Sequence, residues 1–190
     1  MNHLGTVLLE TERLILRRIN ENDYMDMFHN WASRAECNEF LPWPPATDSE
    51  AYKARVSSWI ENYEDRLYFQ WVIEVKATRE VIGIINLHNV DEACQSAETS
   101  YILSPVYWGK GIMTEALKCV LEFAFENLEL NHVQADVFAG NIASEKVLKK
   151  CGMQWKGIEK EKYCKDGKYF DSVQYGIGCS TWEVMHTENL

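Results

Sequence analysis

The sequence predicts an α+β domain with a central mixed, mostly antiparallel sheet flanked by helices. Three observations carry that expectation. Alternating apolar residues recur between residues 69 and 103, two glycines at alternate positions precede a long apolar stripe at 113–128, and a turn signal at 165–167 separates two further strand-like runs. With 190 residues the chain is long enough for one substantial core and short for two, so residues 1–190 read as a single domain.

The elements follow in order. Residues 12–19 read as a first strand. Asn20 is a helix-capping residue with Asp23 three positions on, and Tyr24, Met27, Phe28 and Trp31 then recur at helical spacing. Prolines make residues 40–45 (FLPWPP) a loop, because each removes a donor and forces extended geometry. Thr47 and Glu50 have capping-box spacing ahead of a second helix that carries Tyr52, Val56, Trp59, Ile60 and Tyr63. Phe69, Trp71, Ile73 and Val75 alternate as strand residues. A turn at 77–80 leads to a strand at 81–87, and residues 98–103 complete an antiparallel meander. After a turn-rich loop at 104–111, Met113, Ala116, Leu117, Val120, Leu121, Ala124, Phe125 and Leu128 form one helical stripe. Residues 132–138 alternate again and 144–150 form a short helix. Residues 154–163 and 168–177 flank the hairpin turn Lys165-Asp166-Gly167.

Composition excludes several classes. A formal charge of −10 argues against a nucleic-acid partner, which needs a basic face, and suits a cationic amine. No apolar run approaches the ~20 residues of a membrane helix, and no basic start precedes an apolar stretch as in a secretory signal. The six cysteines include no CxxC pair and no zinc-ligand spacing, so they read as reduced cytoplasmic thiols with no metal site. Cys119 and Cys151 have no His or Asp nearby in sequence to make either a nucleophile.

The most informative stretch is residues 104–116, SPVYWGKGIMTEA. A strand ends, Gly109 and Gly111 follow, and an amphipathic helix begins. Glycine lets the backbone approach a ligand and take positive φ. The first turn of a helix has unpaired N–H groups at the positive end of its dipole. Trp108, Gly109, Lys110, Gly111, Ile112, Met113 and Thr114 therefore make a candidate pyrophosphate site. Taken alone, a plain loop-to-helix junction explains the same residues better. No GK[ST] ends the loop as in a Walker motif, and Thr114 stands where a dinucleotide fingerprint has its third glycine.

The string PVYWGKGIMTEA resembles the acetyl-CoA signature of the GNAT superfamily, in particular the branch of Rim-type ribosomal-protein N-terminal acetyltransferases. The resemblance spans nearly the whole chain. TERLIL at 11–16 is similar to that branch's opening strand, and residues 98–101 to its strand before the loop. Asn141 to Ser144 resembles an NxxS element, Cys151-Gly152-Met153 a CGF-like element, and Asp166-Gly167 with Asp171 the final hairpin. Two departures stand out: Val106 replaces the usual Gln or Arg, and Lys156 precedes Gly157 where the branch often has Glu near the acceptor side.

The resemblance implies a GNAT-like acyl-CoA N-acyltransferase fold, acetyl-CoA as cosubstrate and direct transfer to a primary amine. The acceptor is then a protein N-terminus or a small amine, the protein a cytoplasmic monomer or homodimer, with no nucleic-acid or membrane partner. Glu98 becomes the candidate base, with Glu161 and Tyr163 next; an exposed strand carboxylate is its bland alternative. Backbone N–H groups near Ile102 and Leu103 would polarise the thioester and pair with the pantetheine arm. Asn141 would contact that arm and Ser144 approach its sulfur, although both residue types also cap helices. Lys146, with Lys149 and Lys150, would meet nucleotide phosphates or form a solvated face. Trp31, Phe40 and Trp43 would wall the acceptor pocket, with core packing the alternative for Trp31. A non-catalytic acyl-CoA-binding domain is the competing reading.

Overall fold

A computed structural model describes residues 1–187. The sheet starts with a two-residue strand, β1 (Leu9–Glu10), paired to β2 (Leu14–Arg17). β2 is shorter than expected because the chain leaves the sheet at Ile19, whose N–H is taken by the Tyr63 hydroxyl at 2.9 Å. Asn20 and Asp23 then form the anticipated reciprocal cap and start a short helical segment through α1 (Tyr24–Met27), which continues as a π-turn at Phe28–Ala32. α2 (Ala35–Asn38) precedes the proline loop. α3 (Ser49–Glu61) is capped by Asp48, whose carboxylate accepts the N–H groups of Glu50 and Ala51. The expected Thr47 cap is therefore displaced by one residue, to a stronger capping side chain.

The meander forms as expected: β3 (Phe69–Val75), β4 (Val81–Asp91) and β5 (Ser96–Leu103) pair antiparallel. The glycine loop leads to α4 (Ile112–Glu122), extended by a π-turn at Phe123–Asn127. β6 (His132–Phe138), α5 (Ile142–Lys150) and the β7 (Gln154–Lys165) and β8 (Lys168–Gly178) hairpin follow, then α6 (Cys179–Thr187), which no sequence signal announced. The sheet order is β1-β2-β3-β4-β5-β6-β8-β7, and only β5 and β6 run parallel.

Alternation along the strands divides the core in two. Under α4, Leu14, Trp71, Ile73 and Ile85 pack against Leu117, Val120 and Phe123. The opposite face carries Val72 and Ile84 against Met27, Trp31, Tyr52 and Val56 of the α1 and α3 layer. Burying each such side chain stabilises by ~1.5–3 kcal/mol. Two packed layers thus flank the sheet, one on each face. Among the described residues no helix is long and apolar enough to cross a membrane.

Candidate active site

β5 and β6 pair only at Ser96↔His132, Ala97↔Val133 and Glu98↔Gln134. Beyond Glu98 they part company: β5 stays with β4 as far as Leu103↔Gly83, and β6 stays with β8 as far as Phe138↔Ser172. A slot therefore opens in the middle of the sheet with Glu98 at its apex. Gly83 holds one wall close, since a Cβ there would lie 2.6 Å from the Ile102 carbonyl. The Ser104 N–H donates to the Ile82 carbonyl at 2.8 Å. By strand alternation Ile102 also turns its backbone groups toward β4, and Tyr101 and Leu103 turn theirs into the slot. Of the two expected amide donors, Leu103 alone faces the opening. Its carbonyl is occupied by the Trp108 indole N–H at 2.8 Å, with the Cys37 thiol at 3.6 Å.

The glycine loop stands at the mouth of this slot. Gly109 and Gly111 have φ of 74° and 76°, and Gly111 is the N-cap of α4. No side chain caps that helix, and its first backbone bond is Glu115 N–H to Gly111 carbonyl at 3.0 Å. The N–H groups of Ile112, Met113 and Thr114 are thus left for an anion. A Cβ on Gly109 would meet nothing within 4 Å, so the loop has room for a phosphate. Ile112 and Met113 are each 5 % exposed, so their side chains belong to the core and only their backbones are available. Trp108 and Lys110 are exposed, the latter with its ammonium 5.3 Å from the Tyr107 ring. Val106 is exposed where a longer polar residue was expected.

Two residues missed in the sequence shape this loop. Arg13 donates to the Lys110 carbonyl at 3.1 Å and to Glu115 at 2.6 Å, and Glu115 also accepts the Thr11 hydroxyl and the Arg13 N–H. Burial opposes the Glu115 charge, but these partners outweigh it and hold its carboxyl below the usual range. The TERL string contained Thr11 and Arg13, yet their partner lies about a hundred residues on, and no local pattern links them.

Across the slot, Asn141 is the N-cap of α5 and accepts the Ser144 N–H at 3.1 Å. Asn141 therefore does the capping, and Ser144 sits inside the first turn with its hydroxyl free for another role. That hydroxyl lies 2.8 Å from the Tyr101 hydroxyl, a further residue missed by sequence reading. Burial, partly opposed by the Ser144 bond, keeps the Tyr101 phenol far above its ordinary pKa, so it stays neutral and able to donate. Lys146 and Lys150 are exposed, whereas Lys149 bonds Glu145 at 3.3 Å. Burial pushes the Cys37 thiol up to about 11 and the Cys151 thiol up to about 12, which keeps both protonated.

On the other side of the slot lies a cleft of 810 Å³, walled by Trp31, Phe40, Trp43 and Tyr163 as well as Glu98. Trp31 serves both readings, since it is also buried in the core of that layer. Phe40 packs on Phe138, which stacks on Tyr163 at 5.1 Å. Lys165 at the hairpin tip donates to the Asn38 and Glu39 carbonyls, fastening the proline loop over the cleft. Three carboxylates line this space. Asp48 caps α3, and Asp136 receives the Lys162 ammonium at 2.5 Å and the Ser172 hydroxyl at 3.3 Å. Glu98 alone of the three has no cation or hydrogen-bond donor among the described residues. Tyr163 has its phenol raised by burial, and Glu161 points its backbone to Asp171 and does not line the cleft. Lys156 does not line it either; it lies beside His132 and Gly176, away from the acceptor side.

The family model described as an acetyltransferase (GNAT) domain matches residues 13–154. The chain is 29 % identical over 170 residues to an uncharacterised N-acetyltransferase, YoaA, of Bacillus subtilis (strain 168), covering 90 % of this chain and 96 % of that one. It is 25 % identical over 188 residues to the [ribosomal protein uS5]-alanine N-acetyltransferase of Escherichia coli (strain K12), covering 95 % of each. A spermidine N-acetyltransferase from Vibrio cholerae, solved with CoA and spermine, superposes with a TM-score of 0.78. At 20 % identity over 91 % of this chain and 99 % of that one, this likeness is one of fold.

Proposed function

The chain belongs to the GNAT acetyltransferase family, and we propose that it transfers acetyl from acetyl-CoA directly to a singly charged primary amine bound in the Glu98 cleft. The observation that carries this reading is the slot beyond Glu98, which joins an uncapped helix start on one side to an aromatic, acid-lined cleft on the other. Acetyl-CoA supplies an activated acyl group. The N–H groups from Gly111 to Thr114 hold its pyrophosphate, and the free backbone edge at Tyr101 accepts its pantetheine arm as an added strand, which leaves the Leu103 N–H for the thioester oxygen.

Glu98 takes a proton from the acceptor ammonium, directly or through water, freeing the nitrogen lone pair. The Leu103 N–H stabilises the oxygen on which charge develops. The Tyr101 and Ser144 hydroxyl pair donates a hydrogen bond toward the departing sulfur. No covalent enzyme intermediate is needed, and the neutral, buried thiols support direct attack. Because Asp136 already holds Lys162, the cleft offers one free carboxylate, which favours a peptide N-terminus or monoamine over a polyamine. The relative named for uS5 alanine fits that preference better than the structural neighbour crystallised with spermine. The use of acetyl-CoA supports a cytoplasmic setting, as does the lack of any CxxC spacing among the six cysteines.

The test is thiol release from acetyl-CoA with a panel of alanine-initiated peptides, alkylamines and spermidine. Amine-dependent release, with peptides and monoamines ahead of spermidine, is the expected result. Acetyl-CoA binding without release by any amine sinks the reading and leaves a non-catalytic acyl-CoA-binding domain.

A further inference from the structure

The cleft floor changes character along the sheet. Val72, Ile84 and Ile102 form an apolar row across β3, β4 and β5. Two residues further along, the same face carries Gln70, Asn86 and Ser100, and the next row sets His88 beside Glu98. A polar strip thus runs diagonally from Glu98 to Gln70.

Gln70 is the odd member. Its side chain is buried, at 7 % exposure, and its Nε2 has no hydrogen-bond partner. Its backbone is already secured, with the N–H donating to Thr6 Oγ1 at 2.9 Å and the carbonyl accepting the Tyr63 hydroxyl at 2.8 Å. The buried Tyr68 hydroxyl lies beside the Gln70 and Asn62 amides, whose closeness opposes the rise that burial gives its phenol, and its geometry to each falls short of a good hydrogen bond. Burying unmatched polar groups is destabilising, and a polar group of a ligand reached by a turn of these side chains at the pocket wall would relieve that cost. Gln70 lines both the main cleft and an adjoining pocket of 310 Å³, which Tyr68, Asn86, His88 and Asn89 also line. Asn86 is oriented by the Ser100 N–H and hydroxyl, at 3.2 and 2.9 Å, which bond its Oδ1. β4 bulges between His88 and Asp91, where Asn89 takes a φ of 48°, and this opens the pocket's end.

Resting on the acetyl-transfer reading above, we propose that Gln70 and Tyr68, with Asn86, form a second acceptor subsite that binds a neutral amide of the acceptor. Gln70 is two strands and one two-residue step from Glu98, about 12 Å at ordinary sheet spacings. That distance corresponds to roughly three residues of extended peptide. The amide carbonyl accepts from Gln70 Nε2, and the Tyr68 hydroxyl serves the same or the next peptide group. The substrate class is therefore an amine-terminated chain with backbone amides, recognised by its third peptide unit as well as by its charge.

The experiment compares trialanine amide with n-butylamine as acceptors for wild type, Gln70→Met and Tyr68→Phe. Wild type is expected to prefer trialanine amide, and Gln70→Met to reduce its kcat/KM relative to butylamine about tenfold, through KM rather than kcat. Tyr68→Phe, which removes one oxygen, is expected to shift the same ratio in the same direction. Gln70→Met should also melt no lower than wild type, because it removes an unmatched buried amide. An unchanged ratio in both variants overturns the subsite and leaves water as the occupant of the pocket. A lower melting temperature with equal losses on both acceptors overturns it in favour of a structural glutamine. Wild type inactive on both acceptors overturns the acetyl-transfer reading, and the subsite with it.

Discussion

At Asn141 and Ser144 two roles that look alike in sequence separate in space. The Asn141 side chain caps α5, while the Ser144 hydroxyl turns to Tyr101 across the slot. Asn141→Ala is therefore expected to lower stability by ~1 kcal/mol. Ser144→Ala keeps the cap and is expected to leave the melting temperature nearly unchanged. It should lower kcat ~10-fold by removing a hydrogen bond to developing charge. Melting curves and turnover on both variants distinguish the two; a destabilised, fully active Ser144→Ala would return the serine to a structural role. Glu98→Gln keeps shape and removes the base, so turnover is expected to fall ~10²-fold while CoA affinity holds. Wild-type rate with an unaltered pH profile would move the base elsewhere, and Tyr163 is the remaining candidate lining the cleft.

The glycine loop is the element whose behaviour depends on a distant strand. Gly111 sits at φ 76°, a conformation that L residues adopt at a penalty of ~1–2 kcal/mol, so Gly111→Ala should weaken CoA binding even though the Cβ itself has space. Calorimetry on the folded variant measures this, and unchanged affinity would show that the loop relaxes freely. Glu115 adds a pH dependence. Its folded-state pKa lies below the unfolded value of about 4.3, so its contribution is complete above that pH and lost as pH falls through the folded value. Glu115→Gln should flatten the acid limb of melting temperature against pH below the unfolded value, and an identical limb in both proteins would exclude the Arg13–Glu115 clamp.

Much of this element was legible in the sequence, because paired glycines before an apolar stripe are a local pattern. The alternating strands and the Asn20 cap were legible for the same reason. What stayed hidden was long-range. Arg13 meets Glu115, Tyr101 meets Ser144 and Lys165 meets Asn38 across the fold, and single-sequence periodicity carries no information on such pairings. Thr47 misled because its capping-box spacing was good while Asp48, one residue later, was the better acceptor. Of the strand-end residues Ile102 and Leu103, only the pairing with β4 decides which amide is free.

For the whole molecule, ligand binding and stability are one quantity. CoA at a hundredfold excess over its Kd should stabilise by ~2.7 kcal/mol. For a chain of this size that is a rise in melting temperature of about 5–10 °C. Absence of any shift at saturating CoA would count against a preformed site. The parted strands have one more consequence. The Ile102 amide is bonded to β4, while those of Tyr101 and Leu103 face the slot with no strand opposite. In deuterated water, neighbouring amides on this one strand should therefore exchange at different speeds, Tyr101 and Leu103 fast and Ile102 slow. Once the pantetheine arm lies in the slot, the two fast positions should slow to match it. On the proposed reading, the middle of the molecule is a sheet lacking one strand, which the cosubstrate would supply for the duration of each turnover.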